Sequence, residues 1–435
     1  HVIACLEQYL EHGSDLDVAR ILPIAFAERF QLDPEAVVTA CLLAAKEGVL
    51  TLLWDILCPS CRIPADVQES LAAVRDHAYC PACDLKYELD FANSVELVFR
   101  AHPELRAVDT QTYCIGGPAF SAHVVMQARM AAGERLALEL ALEEGVYRLR
   151  GPQLPFVVDC RVSPTALTTR WEVFLGAPPT AEAIPRLATG GQVFILHNNT
   201  AQSVQVRLER TAGKPLAFTA KAASSHPLFR EMFPDQVLAP GQIVSVHTIT
   251  FVYARLVQAD RWYDELGDGP AFSRIQSELR FLEELIGQYR GAMVKTLGAG
   301  LLATFDAATD AAQLTIALLA AQAAGRETWR TVVHRGPALV TTLNGRLDYF
   351  GATPRDAWKL LESAPPRQAY VTESVASDRE VAQLARERSV AVAPAHWSAA
   401  HGDRPSADQT VGHRVVEVFC WSYDPPLSGP SAPGL

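Results

Sequence analysis

The chain has 435 residues, 49% hydrophobic and 20% charged, with a net charge of −11. That composition belongs to a folded protein of about two to four domains and excludes a disordered chain. The negative balance argues against nucleic acid and anionic lipid as partners. Early acids at Glu7, Glu11, Asp15, Asp17 and Glu28 exclude a signal peptide, and no apolar run reaches the ~18 residues of a membrane span.

The chain begins at His1 rather than Met, as a fragment of a longer protein would. Nine cysteines is an odd number. Four form two CxxC pairs, while Cys5, Cys41, Cys114, Cys160 and Cys420 lie scattered in apolar surroundings. This is the pattern of a reduced, cytoplasmic protein with one metal site, not of a disulfide framework.

Residues 1–57 read as a small helical, winged-helix-like module. Asp33-Pro34-Glu35 supplies a cap, a first-turn proline and a first-turn acid. Val37, Val38, Cys41, Leu42 and Ala45 follow at helical spacing, and Gly48 ends the helix. A strand is expected over 49–57. The second helix offers only Lys46 as a cation, which favours packing over DNA recognition.

Residues 58–87 read as a zinc ribbon. Cys58, Cys61, Cys80 and Cys83 form two knuckles separated by 18 residues. Four thiolates close a tetrahedral shell with no open position, so the expected zinc is structural. From 88 to 245, short alternating strands at 95–99, 146–149, 193–196 and 204–208 are separated by Gly, Pro and Asn turns, which predicts a β-sandwich. Phe229–Phe233 reads as one helical turn with both aromatics inward.

Over 246–420, strands and helices alternate. Val244–Tyr253 reads as a buried strand, and Phe272–Tyr289 as an amphipathic helix with Ile275, Leu279, Leu282 and Ile286 on one side. Two short strands, 293–297 and 301–305, flank a glycine turn at Gly298 and Gly300. A well-buried helix is expected at 310–324, separate strands at 330–334 and 339–343, a helix at 353–363 and a strand at 369–372. The tail, 421–435, is rich in Pro, Ser and Gly and reads as disordered. The fold class is therefore α+β and multidomain.

The stretch Lys295-Thr296-Leu297-Gly298-Ala299-Gly300, followed by apolar residues and Phe305, resembles the metal-binding hairpin of class III adenylate/guanylate cyclases. That resemblance implies a ferredoxin-like α/β core with βαββαββα order. Residues 1–245 resemble an uncharacterised family of N-terminal regions in front of bacterial class III cyclases. The residues carrying this are the paired knuckles, Val95–Arg100 with His102-Pro103 and Arg106, Tyr113–Pro118, and Phe229–Phe233 with Val237–Gly241. It implies a bacterial, cytoplasmic protein with a sensory or scaffolding role.

The cyclase resemblance assigns positions one by one. Family members hold two metals on two aspartates; aligned on Tyr263–Asp268, those positions here are Arg255 and Ala299. No Mg²⁺ is expected, since it needs hard oxygen ligands. Lys295 and Asp348 match the pair that selects adenine. Their alternative reading is a solvated lysine at a strand edge and an aspartate capping the turn before the helix at Thr353. The family's Asn and Arg positions hold Arg355 and Lys359. The expectation is a catalytically inactive cyclase homologue that acts by contact with another cyclase-type domain, as a homodimer or heterodimer, with a nucleotide as a candidate ligand. Two alternatives stand beside it: the metal-free half of a heterodimeric cyclase, and a nucleic-acid-binding regulator using the zinc ribbon and winged-helix-like segment.

Overall fold

The computed structural model describes residues 1–59, 63–80, 85–108, 124–151, 153–154, 156–177, 184–210, 217–397 and 416–423. Cys61, Cys83, the Tyr113–Pro118 motif and the tail beyond 423 lie outside them. The protein is mixed α/β and divides into two compact units, 1–69, 77–88 and 93–218 in one, 70–76, 89–92 and 219–435 in the other.

The first unit opens with four helices, α1 (Val2–His12), α2 (Asp15–Ala19), α3 (Pro23–Phe30) and α4 (Pro34–Lys46). Ser14 and Asp17 form a capping box on α2, and Asp33 caps α4 through the Ala36 N–H. Strand β1 (Leu50–Leu57) then pairs with β2 (Pro64–Gln68) on one side. A small hairpin, β3 (His77–Cys80) and β4 (Leu85–Glu88), precedes β5 (Val95–Ala101), which pairs with β1 on its other side. The boundaries expected at 57 and 87 therefore do not separate domains. One sheet, β2-β1-β5, draws strands from all three segments. Sequence periodicity shows each strand but not its partner, and β1 buried on both faces needed neighbours from outside its own module.

Eight further strands form two sheets around one core. They are β6 (Val124–Met130), β7 (Arg135–Leu142), β8 (Gly145–Arg150), β9 (Val158–Val162), β10 (Arg170–Phe174), β11 (Arg186–Leu187), β12 (Gly190–His197) and β13 (Val204–Arg210). The orders are β11-β9-β8-β13-β6 and β10-β12-β7. Trp171 and Phe194 from the smaller sheet join Met126, Leu149 and Leu208 from the larger in one apolar cluster. Inward side chains of two facing sheets make this the sandwich its alternation foretold, though it spans 124–210 and not 88–245.

The second unit starts with α5 (Ala220–Ser224) and α6 (Pro227–Met232) and is built on an eight-stranded sheet. Its elements in order are β14 (Ile243–Leu256), α7 (Ala259–Leu266), α8 (Asp268–Gln288), β15 (Ala292–Thr296), β16 (Gly300–Phe305), α9 (Ala308–Ala323), β17 (Trp329–Leu343), β18 (Arg346–Phe350) and α10 (Ala352–Ser363). Then come β19 (Ala369–Thr372), α11 (Glu373–Ala376), α12 (Arg379–Glu387), β20 (Val390–Trp397) and β21 (Val416–Tyr423). The sheet order is β15-β16-β14-β17-β19-β21-β20, with β18 on β17. Val252, Ala254 and Leu256 alternate onto one face, where they meet Leu282 of α8, Leu314 of α9 and Val381 of α12. No described helix is long and apolar enough to cross a membrane.

Three expectations for this unit need correction. The strands at 330–334 and 339–343 are one strand, β17. Gly336-Pro337 reads as a break but sits where the β14 ladder shifts register, between Val246 and Ile249, so the missing proline N–H falls at a bulge. The unit also continues past 420, because β21 runs to Tyr423 and pairs with β19 and β20. Of the two aromatics, only Phe229 on α6 is fully buried; Phe233, at the helix's C-cap, is partly exposed and stacks on it at 5.6 Å.

In the first unit, the Asp55 carboxylate on β1 is buried and pairs with Arg20. Burial pushes its pKa up, and the guanidinium pulls it back. Arg20→Met should destabilise the full chain by about 3–5 kcal/mol at pH 7, because it leaves a buried charge unpaired. An acid whose folded pKa exceeds its ordinary 3.8 takes up a proton on folding. The deficit in urea melts should therefore shrink as pH falls towards that value; a deficit that grows on acidification would be the wrong sign.

Candidate functional site

The first place of interest is the corner where β14 ends. Leu297 N–H donates to Gly300 O at 2.7 Å, and Gly300 N–H returns the bond at 3.1 Å. This closes a two-residue turn at Gly298-Ala299, with Gly298 in the left-handed region at φ +62°. A Cβ on Gly300 would lie 2.5 Å from Ala254 O, so the hairpin is flush against β14 only because that residue is glycine. Arg255 is the register partner of Gly300, and Leu256 N–H donates to Ala299 O at 3.0 Å. Arg255 and Ala299 are thus brought side by side.

Their chemistry does not suit a divalent cation. Mg²⁺ takes oxygen ligands, whereas a guanidinium carries only donors and a methyl carries nothing. The Arg255 side chain is about half exposed and lies 3.6 Å from the Asp260 carboxylate on α7.

The second place joins β15 to β18. Lys295 Nζ donates to Asp348 Oδ2 at 2.6 Å, and the Tyr349 N–H donates to Asp348 Oδ1 at 2.8 Å. Asp348 is only 5% exposed. The lysine also lies 5.7 Å from the centre of the Phe350 ring. Asp348 is therefore a strand residue in an ion pair, not a cap: α10 has Gly351 at its N-cap position and no side-chain cap. Nearby, Tyr253 stands edge-on to Trp358 at 5.7 Å. Burial, helped by the Asp348 charge, pushes its phenol pKa up, so it remains a neutral hydroxyl.

Arg355 and Lys359 are both exposed on α10. Arg355 hydrogen-bonds its neighbour Asp356 at 3.1 Å. No hydrogen bond or ion pair connects either cation with Lys295 or Asp348 among the described residues.

Sequence reasoning missed Arg230 on α6. Its Nη2 donates to Leu347 O at 3.2 Å and Val294 O at 3.5 Å, and its Nη1 to Ser224 O at 3.3 Å. Leu347 and Val294 immediately precede Asp348 and Lys295. Ser224 Oγ and Tyr349 Oη lie 2.9 Å apart and tie α5 to the same strand. Backbone acceptors leave no mark in a sequence, so the Phe229-Arg230 dipeptide alone could not have disclosed this clamp.

Of the proposed zinc ligands, Cys58 follows β1 and Cys80 ends β3, and both are buried. The Cys58 N–H donates to Ile63 O at 3.0 Å, and Cys80 pairs in register with Leu85. Cys58 thus lies between β1 and its antiparallel partner β2, and Cys80 at the end of β3, while Cys61 and Cys83 lie outside the described residues.

A family model described as "Family of unknown function (DUF5939)" matches residues 1–113. No curated protein matches the chain. Solved cyclase structures resemble part of it. The adenylate/guanylate cyclase/hydrolase from Silicibacter pomeroyi is 21% identical, over 42% of this chain and 100% of that one, with a TM-score of 0.31. The adenylyl cyclase CyaB from P. aeruginosa is 14% identical, over 43% and 100%, at 0.32. The guanylyl cyclase domain of the RhoGC fusion protein from Blastocladiella emersonii is 10% identical, over 41% and 96%, at 0.33.

Lys295→Met would leave the Asp348 carboxylate buried without its cation. The expected cost is about 1–3 kcal/mol, below that of a fully enclosed pair because Lys295 is partly exposed. Adding Asp348→Asn should recover most of it, because the stranded charge is gone. Equal stability of Lys295→Met and wild type in denaturant melts would show that the pair contributes nothing.

Proposed function

We propose that this chain is a catalytically inactive class III nucleotide cyclase homologue, acting in bacterial signalling through contact with another cyclase-type domain. The observation that carries this is Arg255 beside Ala299 at the corner formed by β14 and the β15–β16 turn. Cyclisation requires a 3′-hydroxyl to attack while pyrophosphate leaves, and hard cations normally stabilise both oxygens. A guanidinium at this corner, beside the single carboxylate of Asp260 in place of a carboxylate pair, repels such ions.

The contact role draws support from an exposed apolar set in the same unit. Leu339 and Phe350 are opposite each other across β17 and β18, while Leu343 and Ile243 continue the same face. All four are at least 40% exposed. Contiguous apolar residues on a folded surface mark a protein contact, and a second cyclase-type domain is the partner we infer. A second reading, the metal-free half of a heterodimeric cyclase, is favoured by the Lys295–Asp348 pair.

The isolated chain should not cyclise ATP or GTP with Mg²⁺ or Mn²⁺. Arg255→Asp with Ala299→Asp should bind Mn²⁺ more tightly than wild type by isothermal titration. Cyclase activity in wild type that is lost on changing Lys295 or Asp348 would overturn the inactive reading. Activity appearing only on mixing with an intact cyclase would select the second one.

We also propose one structural zinc on Cys58, Cys61, Cys80 and Cys83. Structural zinc contributes roughly 10 kcal/mol or more to folding of such sites. Purified full-length protein should carry one zinc per chain, and Cys58→Ser with Cys80→Ser should remove it. Metal-free protein with an unchanged melting curve would rule the site out.

A further inference from the structure

Next to the Arg230 clamp is a cleft of about 660 Å³, bounded by α6, the end of α8, β15 and β18. That volume suits a small organic ligand. Its wall includes the stacked rings of Phe229 and Phe233, together with Met293. Two guanidiniums, Arg230 and Arg346, also line it. Neither has a carboxylate at ion-pair distance among the described residues. Arg230 spends three N–H bonds on backbone carbonyls, which leaves part of its five-donor fork unspent. Burial lowers its pKa and repulsion from Arg346 adds to that, while Tyr349 and Asp348 pull the other way.

The remaining charged residues of the wall narrow the choice of ligand. Glu231, Glu283 and Glu284 are exposed there. Three carboxylates around the opening disfavour any multiply charged anion, such as a triphosphate. We propose that this cleft binds a small organic monocarboxylate with a flat apolar body, the acid meeting Arg230 and Arg346 and the body lying against the phenylalanines. Arg230 holds the carbonyls just before Lys295 and Asp348, so the bound acid would stiffen the strands carrying that pair. The site stands independently of any cyclase-type role.

Calorimetric titration of the full chain with benzoate, 2-naphthoate and indole-3-acetate tests this, with the neutral alcohol indole-3-ethanol and ATP as controls. At least one acid should bind one-to-one, about tenfold or more tighter than the alcohol, and ATP should not displace it. Arg346→Gln, which removes an exposed side chain without a described partner, should weaken the acid about tenfold. Glu283→Gln with Glu284→Gln should tighten it. Arg230→Gln should abolish binding, and if that variant does not fold, Arg346→Gln still decides. Equal affinity for acid and alcohol, unchanged affinity in Arg346→Gln, or no acid bound at about 5 mM, each overturns the proposal.

Discussion

The antiparallel ladder between β14 and β17 is the element on which the second unit depends. It runs from Ile243 to Leu256 on one strand and from Thr341 back to Trp329 on the other. Each backbone bond in it is modest by itself, but the ladder fixes which residues face the helices. Val252, Ala254 and Leu256 go into the helix-covered core, while Phe251 and Tyr253 go to the opposite face. The corner with Arg255 and Ala299 lies at one end of the ladder. At the other end β17 folds back into β18, which delivers Asp348 to Lys295. A slip of one residue would exchange the two faces and dissolve both places at once.

The bulge within that ladder makes the arrangement work. Pro337 cannot donate to a neighbouring strand, and the register shift removes the need. Its carbonyl instead accepts the Thr353 hydroxyl at 2.5 Å. Gly336 has no side chain at the point where Thr353 approaches, and a Cβ there would lie 2.7 Å from that hydroxyl oxygen. The start of α10 is therefore fixed by two residues that sequence reading takes for a loop.

What could be read in advance follows from what has local periodicity. The hairpin of β15 and β16, the amphipathic α8 and the buried α9 were legible because glycine turns and apolar spacing are written within a few residues. The β2-β1-β5 sheet was not, since strand pairing across distant segments has no local signature. The Gly336-Pro337 dipeptide misled because it marks turns as often as bulges. Asp348 carried its partner's identity only through family resemblance; its burial comes from β18, a strand of five residues too short to announce itself. Arg230 was invisible because it reads carbonyls, which every residue possesses.

The closure of Lys295 on Asp348 also governs how any polar molecule could use them. The carboxylate is an internal competitor, already occupying the lysine at 2.6 Å. An incoming anion that takes the aspartate's place must displace a charge-assisted hydrogen bond worth about 1.5–3 kcal/mol, and one that uses the remaining Nζ donors instead must sit beside the Asp348 charge. Displacement alone would weaken apparent affinity by roughly ten- to a hundredfold. A molecule with an acceptor and a donor side by side escapes that handicap, because the lysine and the aspartate can each keep the other while receiving it. Self-occupancy thus acts as a filter on hydrogen-bond pattern, and single-function ions pass it poorly.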